Sequence, residues 1–369
     1  MLLACVYLGL VLIPHLARGE GLWREYPDNL ILDGLARWDS GWYLRIARYG
    51  YLDAAGGSQR DTAFFPAYPL VLSLANLLSQ KALAGWGIIV SNTFFLAGLC
   101  LTYDLVKTFK SRRLARRVIA LMAFSPASVF FSAVYTESMF FVFSTAAFRL
   151  AQKRKPYSAM LCAAIASLTR VVGFACVPFT YWLYKESSLR EQASLLPGLR
   201  PSRWSQSSVL PFLTGFSLFI LYLAYQKACY GSFLHFMESQ ADWYGSVSSD
   251  SLWQSWQPVV QLRIRTILNG GIRMMDLINS STLAAALVLL TRGWLRKDQP
   301  RVLTTWALVS LLIAITSWSS GLRYVGTYFP VFVSLAVLLR RWPFELVIGS
   351  SAMLMALFAI AFSHWYWVA

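Results

Sequence analysis

"FFPAYPLVLSLANLLSQKALAGWGIIVSNTFFLAGLCLTYDLV", residues 64–106, holds two apolar runs, 64–79 and 83–106, separated by three residues that include Lys81. A bilayer crossing takes about 20 apolar residues. Whether one run crosses or both sets the side on which every later loop lies, and charge decides it. The loops near 107–117, 153–155, 185–203, 292–301 and 340–341 carry 19 Lys or Arg and three acids, whereas 18–63 carries six Lys or Arg and seven acids. Basic loops face the cytoplasm, which puts 18–63 outside and 107–117 inside, so an odd number of crossings joins them. The run 83–106 is the better span. The run 64–79 then forms a juxtamembrane helix on the outer face. Its Pro66 and Pro69 suit a helix start rather than a helix centre.

The same patterning extends over all 369 residues. The chain is 57% hydrophobic and only 14% charged, with a mean hydropathy of +0.51, where a soluble domain carries about 25% charged residues. Apolar segments fall at 1–17, 83–106, 118–133, 136–151, 157–169, 171–184, 209–228, 274–291, 302–318, 325–339 and 345–362. They predict an all-α polytopic membrane protein of about eleven transmembrane helices, forming one integral domain over 1–369. Residues 18–82 make the first outer loop with its juxtamembrane helices, and 230–272 a second outer-face loop. The pair 157–169 and 171–184 is short for two crossings and reads as a hairpin of half-length helices, which is tolerated where irregular backbone lines a wet cavity. The run 1–17 is an uncleaved first span or a signal peptide.

The net charge of +16 follows from the basic loops, so no nucleic-acid partner is indicated. Five cysteines lie in or beside apolar segments without CxxC spacing, which gives no support to a disulfide framework or zinc site. GxxxxGK[ST], HExxH and GxSxG do not occur, so neither nucleotide hydrolysis nor zinc proteolysis is suggested.

Against this apolar background a few charges stand out. In "RWDSGWYLRIARYGY" (37–51) Asp39 sits between Trp38 and Trp42. Residues 35–49 scan as an amphipathic helix with Leu35, Trp38, Trp42, Ile46 and Tyr49 on one face, which interfacial anchoring explains. Asp39 gains nothing from that packing. It is either a catalytic acid or the partner of Arg37 or of a helix N-terminus. Glu137, in "VYTESMFF", is either functional or a helix-start acid favoured by the macrodipole, with Thr136 as cap. Arg170 interrupts a long apolar run, and Arg323 lies between two spans in "SSGLRYVG" beside Tyr324. Arginine at membrane depth is costly and usually pairs or lines a pathway. Each arginine either grips a phosphate or snorkels to the interface. Residues 233–256, with Gln240, Asp242 and Trp243, look like an outer cap suited to carbohydrate or a plain interfacial loop.

"RWDSGWYLRIARYGY", "TAFFPAYPLV", "SPASVFFSAVYTESMF", "SLTRVVG" and "ESQADWYG" occur in this order, and together they resemble the family of the second GPI-anchor mannosyltransferase and its bacterial relatives. The likeness covers most of 37–250 and returns weakly at "LRYVGTYFP". It implies a GT-C glycosyltransferase fold and a polyprenyl-phosphate sugar donor, dolichyl-phosphate mannose in eukaryotes, used on the outer or luminal face. By position Asp39 matches the essential acid of the first loop, Glu137 the second acid, and Arg170 an arginine that relatives follow with polar residues where this chain has Val171 and Val172. The shorter chain suggests a bacterial relative in the inner membrane, or the ER membrane if eukaryotic, with a lipid or glycan acceptor that need not be a GPI anchor. Eukaryotic relatives work with a small partner subunit, on which this sequence is silent.

A lipid-phosphate sugar leaves as an anion, and its acceptor hydroxyl needs a base. The expectation is Asp39 as base with inversion, Arg323 or Arg170 or both on the phosphate, and Glu137 orienting the acceptor or assisting Asp39. Trp38, Trp42, Tyr43 and Phe65 would wall the site, with Gln240, Trp243 and Tyr324 as further substrate contacts. No metal or cofactor is called for, though Asp39 and Glu137 sharing a divalent cation is an option. The alternative is a transporter or flippase for a lipid-linked sugar.

Overall fold

A computed structural model describes residues 1–13, 25–26, 29–51, 59–79, 81–195, 209–242, 274–315 and 320–368. Among these residues every regular element is helical. In chain order they are α1 (Leu2–Leu12), α2 (Leu30–Gly34), α3 (Ser40–Tyr49), a 3-10 turn (Gln59–Ala63), α4 (Ala67–Asn76), α5 (Leu83–Val106), α6 (Arg112–Ala123), α7 (Ser128–Ser132), α8 (Glu137–Gln152), α9 (Pro156–Ser167) and a second 3-10 turn (Val171–Ala175). There follow α10 (Cys176–Leu195), α11 (Val209–Tyr230), α12 (His235–Asp242), α13 (Met274–Arg296), α14 (Arg301–Ile315), α15 (Gly321–Thr327), α16 (Phe329–Leu338) and α17 (Phe344–Ser363).

Four of these, α5, α11, α13 and α17, are each long and apolar enough to cross a membrane, and α15 with α16 makes a fifth if a pair bent by 84° counts as one span. The chain is thus an all-α polytopic membrane protein. The remaining apolar helices are shorter than a crossing requires when taken alone. The ten-residue α4 rises only about 15 Å, half the ~30 Å of the hydrocarbon core, as a juxtamembrane helix would. It packs on α3 and on the start of α5.

Four expected segments take a different form, one of them 171–184, where α10 opens at Cys176 after a 3-10 turn and runs twenty residues to Leu195 instead of ending as a half-length helix. The run 118–133 does not form one helix: α6 starts earlier, at Arg112, with Ser111 capping Leu114 N at 3.2 Å, and ends before Pro126, after which α7 is a separate turn. Proline disfavours helix in the residue before it and cannot donate within one. The run 325–339 breaks at Tyr328 for the same reason, with Pro330 in the first turn of α16. The amphipathic helix expected over 35–49 is also split. The turn after α2 carries Trp38 at φ 55°, and α3 starts at Ser40 and buries Tyr43, Leu44, Ile46 and Ala47. Tyr49, placed on the buried face by period alone, is 63% exposed.

The centre is α8, which packs against α5, α9 and α10 and is buried along most of its length. A helix buried on most of its sides belongs inside a bundle. Its last turn lies beside the end of α5, where Arg149 pairs with Asp104 at 3.5 Å and Thr108 meets Gln152 at 3.3 Å. Arg154 pairs with Glu191 near the end of α10, and Arg117 donates to the carbonyl of Arg340 at 2.9 Å. The basic stretches at 107–117, 153–155 and 340–341 and the described start of 185–203 are therefore joined at one end of α8. Glu137, at the other end of this sixteen-residue helix, is about 24 Å away along its axis.

Candidate active site

Four charged residues distant in sequence converge at the first turn of α8. Arg323 of α15 bridges two carboxylates: its Nη1 donates to Asp39 Oδ2 at 2.5 Å, and its Nε to Glu137 Oε1. Arg170, in the break between α9 and the second 3-10 turn, donates to the same Glu137 oxygen. Glu137 is fully buried, whereas the Asp39 side chain is 27% exposed and so the one carboxylate reachable from outside. Glu137 Oε2 has no hydrogen-bond partner among the described residues. Aromatic rings enclose the cations. Arg323 Cζ lies 4.6 Å from the Tyr135 ring centroid and Arg170 Cζ 4.4 Å from that of Tyr324, distances at which a ring face attracts a cation.

Each charge could instead have had a purely structural partner. Arg37, the neighbour available to Asp39, pairs with Asp33 at 2.7 Å. Asp39 occupies the N-cap of α3 without a side-chain capping bond, and its backbone N–H donates to Tyr135 Oη at 3.2 Å. Thr136 does not cap α8 by its side chain; its hydroxyl faces Tyr43 Oη at 3.5 Å. Neither arginine snorkels, since both are buried, Arg170 at 8% and Arg323 at 6% exposure.

Local structure explains how Arg170 is delivered. Gly173 crosses so close to the end of α9 that a Cβ there would lie 2.0 Å from the Ala166 carbonyl oxygen. Only glycine permits that approach. Gly173 N–H bonds the Arg170 carbonyl at 2.8 Å, and Leu168 accepts from Ala67 N–H at 3.0 Å, which ties the break to the start of α4.

The expected aromatic wall divides. Trp42 stacks on Phe64 with centroids 5.6 Å apart, and Tyr43 packs edge-on against Phe64, Tyr68 and Tyr135. Burial pushes the Tyr43 hydroxyl up to about 12, with Arg323 pulling it down and Asp39 and Glu137 adding to the rise. Trp38 packs instead against Trp365 and Trp367. Phe65 belongs to a separate cluster with Tyr222 and Phe236. Gln240 lies half-buried on α12, which packs against the first 3-10 turn. Trp243 and the rest of the expected outer-face loop, 243–272, which includes the remainder of the cap, lie outside the described residues. The sequence alone singles out none of Tyr135, Asp33 and Trp365. Tyr135 lies in a quoted stretch, but nothing in its spacing aims it at Arg323.

A shared divalent cation meets an obstacle, because the Arg323 guanidinium stands between Asp39 and Glu137. Among the described residues no group of three or more His, Cys, Asp or Glu could hold a metal.

Comparison with known proteins bears on the same region. The rat GPI alpha-1,6-mannosyltransferase 2 is 30% identical over 223 residues, 56% of this chain and 43% of the rat protein. The GPI mannosyltransferase 2 of Schizosaccharomyces pombe is 29% identical over 147 residues, 39% of this chain and 31% of its own length. The chain thus spans less than half the length of either relative. No solved structure matches it. A family model described as Mannosyltransferase (PIG-V) matches residues 21–258, the stretch that contributes Asp39, Glu137 and Arg170, and by that match over more than half of its length the chain belongs to the PIG-V mannosyltransferase family.

Proposed function

We propose that this protein is an inverting membrane mannosyltransferase of the GT-C type. It crosses the bilayer about eleven times and moves a sugar from a polyprenyl-phosphate donor to a lipid or glycan acceptor. One observation carries the reading: Arg323 links a reachable carboxylate, Asp39, to a buried one, Glu137, which Arg170 also holds. The two arginines and two acids balance. A donor phosphate offers Arg323 a doubly coordinating partner. As that guanidinium turns to the phosphate, Asp39 loses its counter-ion and becomes a stronger base for the acceptor hydroxyl. The proton passes to Asp39, the hydroxyl oxygen attacks the anomeric carbon, and the lipid phosphate leaves with the bonding pair, held by Arg323 and Arg170. The buried Glu137 keeps Arg170 and Arg323 in place, and through Arg323 it assists Asp39. Tyr43, Trp42, Phe64 and Tyr135 exclude water, which raises the worth of each charge.

The site faces the outer or luminal side in this reading, since the basic loops lie at the opposite end of α8 and such loops stay in the cytoplasm. The membrane is the inner membrane of a bacterium, or the ER membrane in a eukaryote. No observation favours the transporter alternative. The test is mannose transfer by the purified protein in detergent, from labelled polyprenyl-phosphate mannose to a membrane lipid extract. Transfer without a sealed membrane is the expected result. Movement of label only across sealed vesicles, without a new glycoside, would replace this reading with the transporter.

A further inference from the structure

We infer that residues 363–367, on and after the last turn of α17, are a positioning element for Asp39: they clamp the Trp38 turn so that the carboxylate meets Arg323. This rests on the function proposed above for Asp39. The segment lies outside residues 21–258, the part matched by the family model.

The clamp is built from both sides. Arg37 donates through Nε to the Ser363 carbonyl at 3.2 Å and lies over the Trp365 ring, Cζ 4.9 Å from its centroid. Asp33 holds Arg37 from below at 2.7 Å and itself accepts from Glu25 N–H at 2.9 Å and Tyr26 N–H at 3.2 Å. Trp38 inserts between Trp365 and Trp367, with centroids 5.7 and 5.3 Å away, both edge-on. The next residue is Asp39. Its N–H is fixed by Tyr135 Oη, which donates in turn to the Arg37 carbonyl at 3.3 Å.

Backbone geometry points the same way. Among the described residues four non-glycines have positive φ, and two of them, Trp38 at 55° and Trp365 at 65°, are the pair in contact. A bulky residue rarely adopts that conformation, and it persists where the surroundings over-determine it. Trp365 follows the helix end at the position where glycine is the usual choice, and Tyr366 N–H closes on the Ala361 carbonyl at 3.0 Å. A glycine there would satisfy the helix end but would remove the ring beneath Arg37. Both tryptophans accept an unfavourable backbone in order to meet, and their meeting fixes the backbone of Asp39. An acid displaced by about 1 Å from its reacting partner can lose on the order of 100-fold in rate.

The experiment uses full-length protein in nanodiscs and compares wild type, Trp365→Ala, Trp365→Phe and Arg37→Gln. Two readouts are taken, kcat and KM for mannosyl transfer, and amide hydrogen exchange of a peptide covering 36–44. Trp365→Ala and Arg37→Gln should lower kcat about 10- to 100-fold with donor KM within about twofold. Protection should fall in 36–44 and be retained along α8. Trp365→Phe, which keeps a ring under Arg37, should recover most of both. Unchanged exchange in 36–44, or protection lost equally along α8, would overturn the clamp. If wild type transfers no sugar, the enzyme reading falls, and the exchange pattern alone still decides whether 363–367 fixes the Trp38–Asp39 turn.

Discussion

Replacing Glu137 by glutamine keeps the shape of the side chain and removes its charge. In wild type the cluster holds two guanidiniums and two carboxylates, and Glu137 is the acidic partner of both Arg170 and Arg323. Arg323 retains Asp39 after the change, but Arg170 keeps no acidic partner among the described residues, and it is 8% exposed. Breaking a buried ion pair from one side costs about 3–5 kcal/mol, because the surviving charge stays buried. Arg170→Gln alone is milder, since Glu137 keeps Arg323; it loses a charge-assisted hydrogen bond of about 1.5–3 kcal/mol. Independent effects would therefore total about 4.5–8 kcal/mol. The double variant restores charge balance and should cost no more than Glu137→Gln alone, a coupling of about 1.5–3 kcal/mol. Reversible unfolding in mixed micelles of fixed composition, followed by tryptophan fluorescence, gives the four free energies. Additive costs, or a Glu137→Gln cost below about 1 kcal/mol, would refute the idea that one buried carboxylate holds both arginines.

Gly173→Ala should destabilise by about 1–3 kcal/mol, because its Cβ would meet the Ala166 carbonyl oxygen rather than a flexible side chain; the same unfolding assay measures it, and mannosyl transfer should fall as Arg170 shifts. Tyr43 supplies a pH test. Burial raises its hydroxyl to about 12 from 10, so its contribution to stability is present below about pH 10 and is lost as pH rises through about 12. Alkaline unfolding of wild type should therefore be steeper over that window than that of Tyr43→Phe, and identical slopes would contradict the burial of Tyr43.

Much of this arrangement was legible in the sequence for one reason: charge is expensive in an apolar chain. Asp39, Glu137, Arg170 and Arg323 drew notice because each interrupts apolar or aromatic surroundings, and these four meet. The count of basic and acidic loops likewise reads 64–79 as a juxtamembrane helix rather than a span, and the helix found there, α4, is ten residues long. What escaped was pairing and backbone. Nothing in the spacing says that Arg323 bridges Asp39 to Glu137 over 284 and 186 residues. Period alone ran a helix through 35–49, because no glycine or proline marks the left-handed turn at Trp38, which is held by tertiary contacts with Trp365 and Trp367. Pro126 and Pro330 did mark the breaks near α7 and α16, but a hydropathy window averages over a single proline. Phe65 reads with Trp38, Trp42 and Tyr43 as a wall of the site, whereas its ring faces Tyr222 and Phe236.

The most direct test of the account is the rate of mannosyl transfer by Asp39→Asn beside wild type, both purified in the same detergent with polyprenyl-phosphate mannose as donor. Loss of a general base costs about 100- to 10,000-fold, and asparagine keeps the size and one hydrogen-bond acceptor for Arg323. The account predicts a folded variant with kcat down by at least about 100-fold and donor KM little changed. A folded Asp39→Asn protein that transfers mannose at the wild-type rate would contradict it.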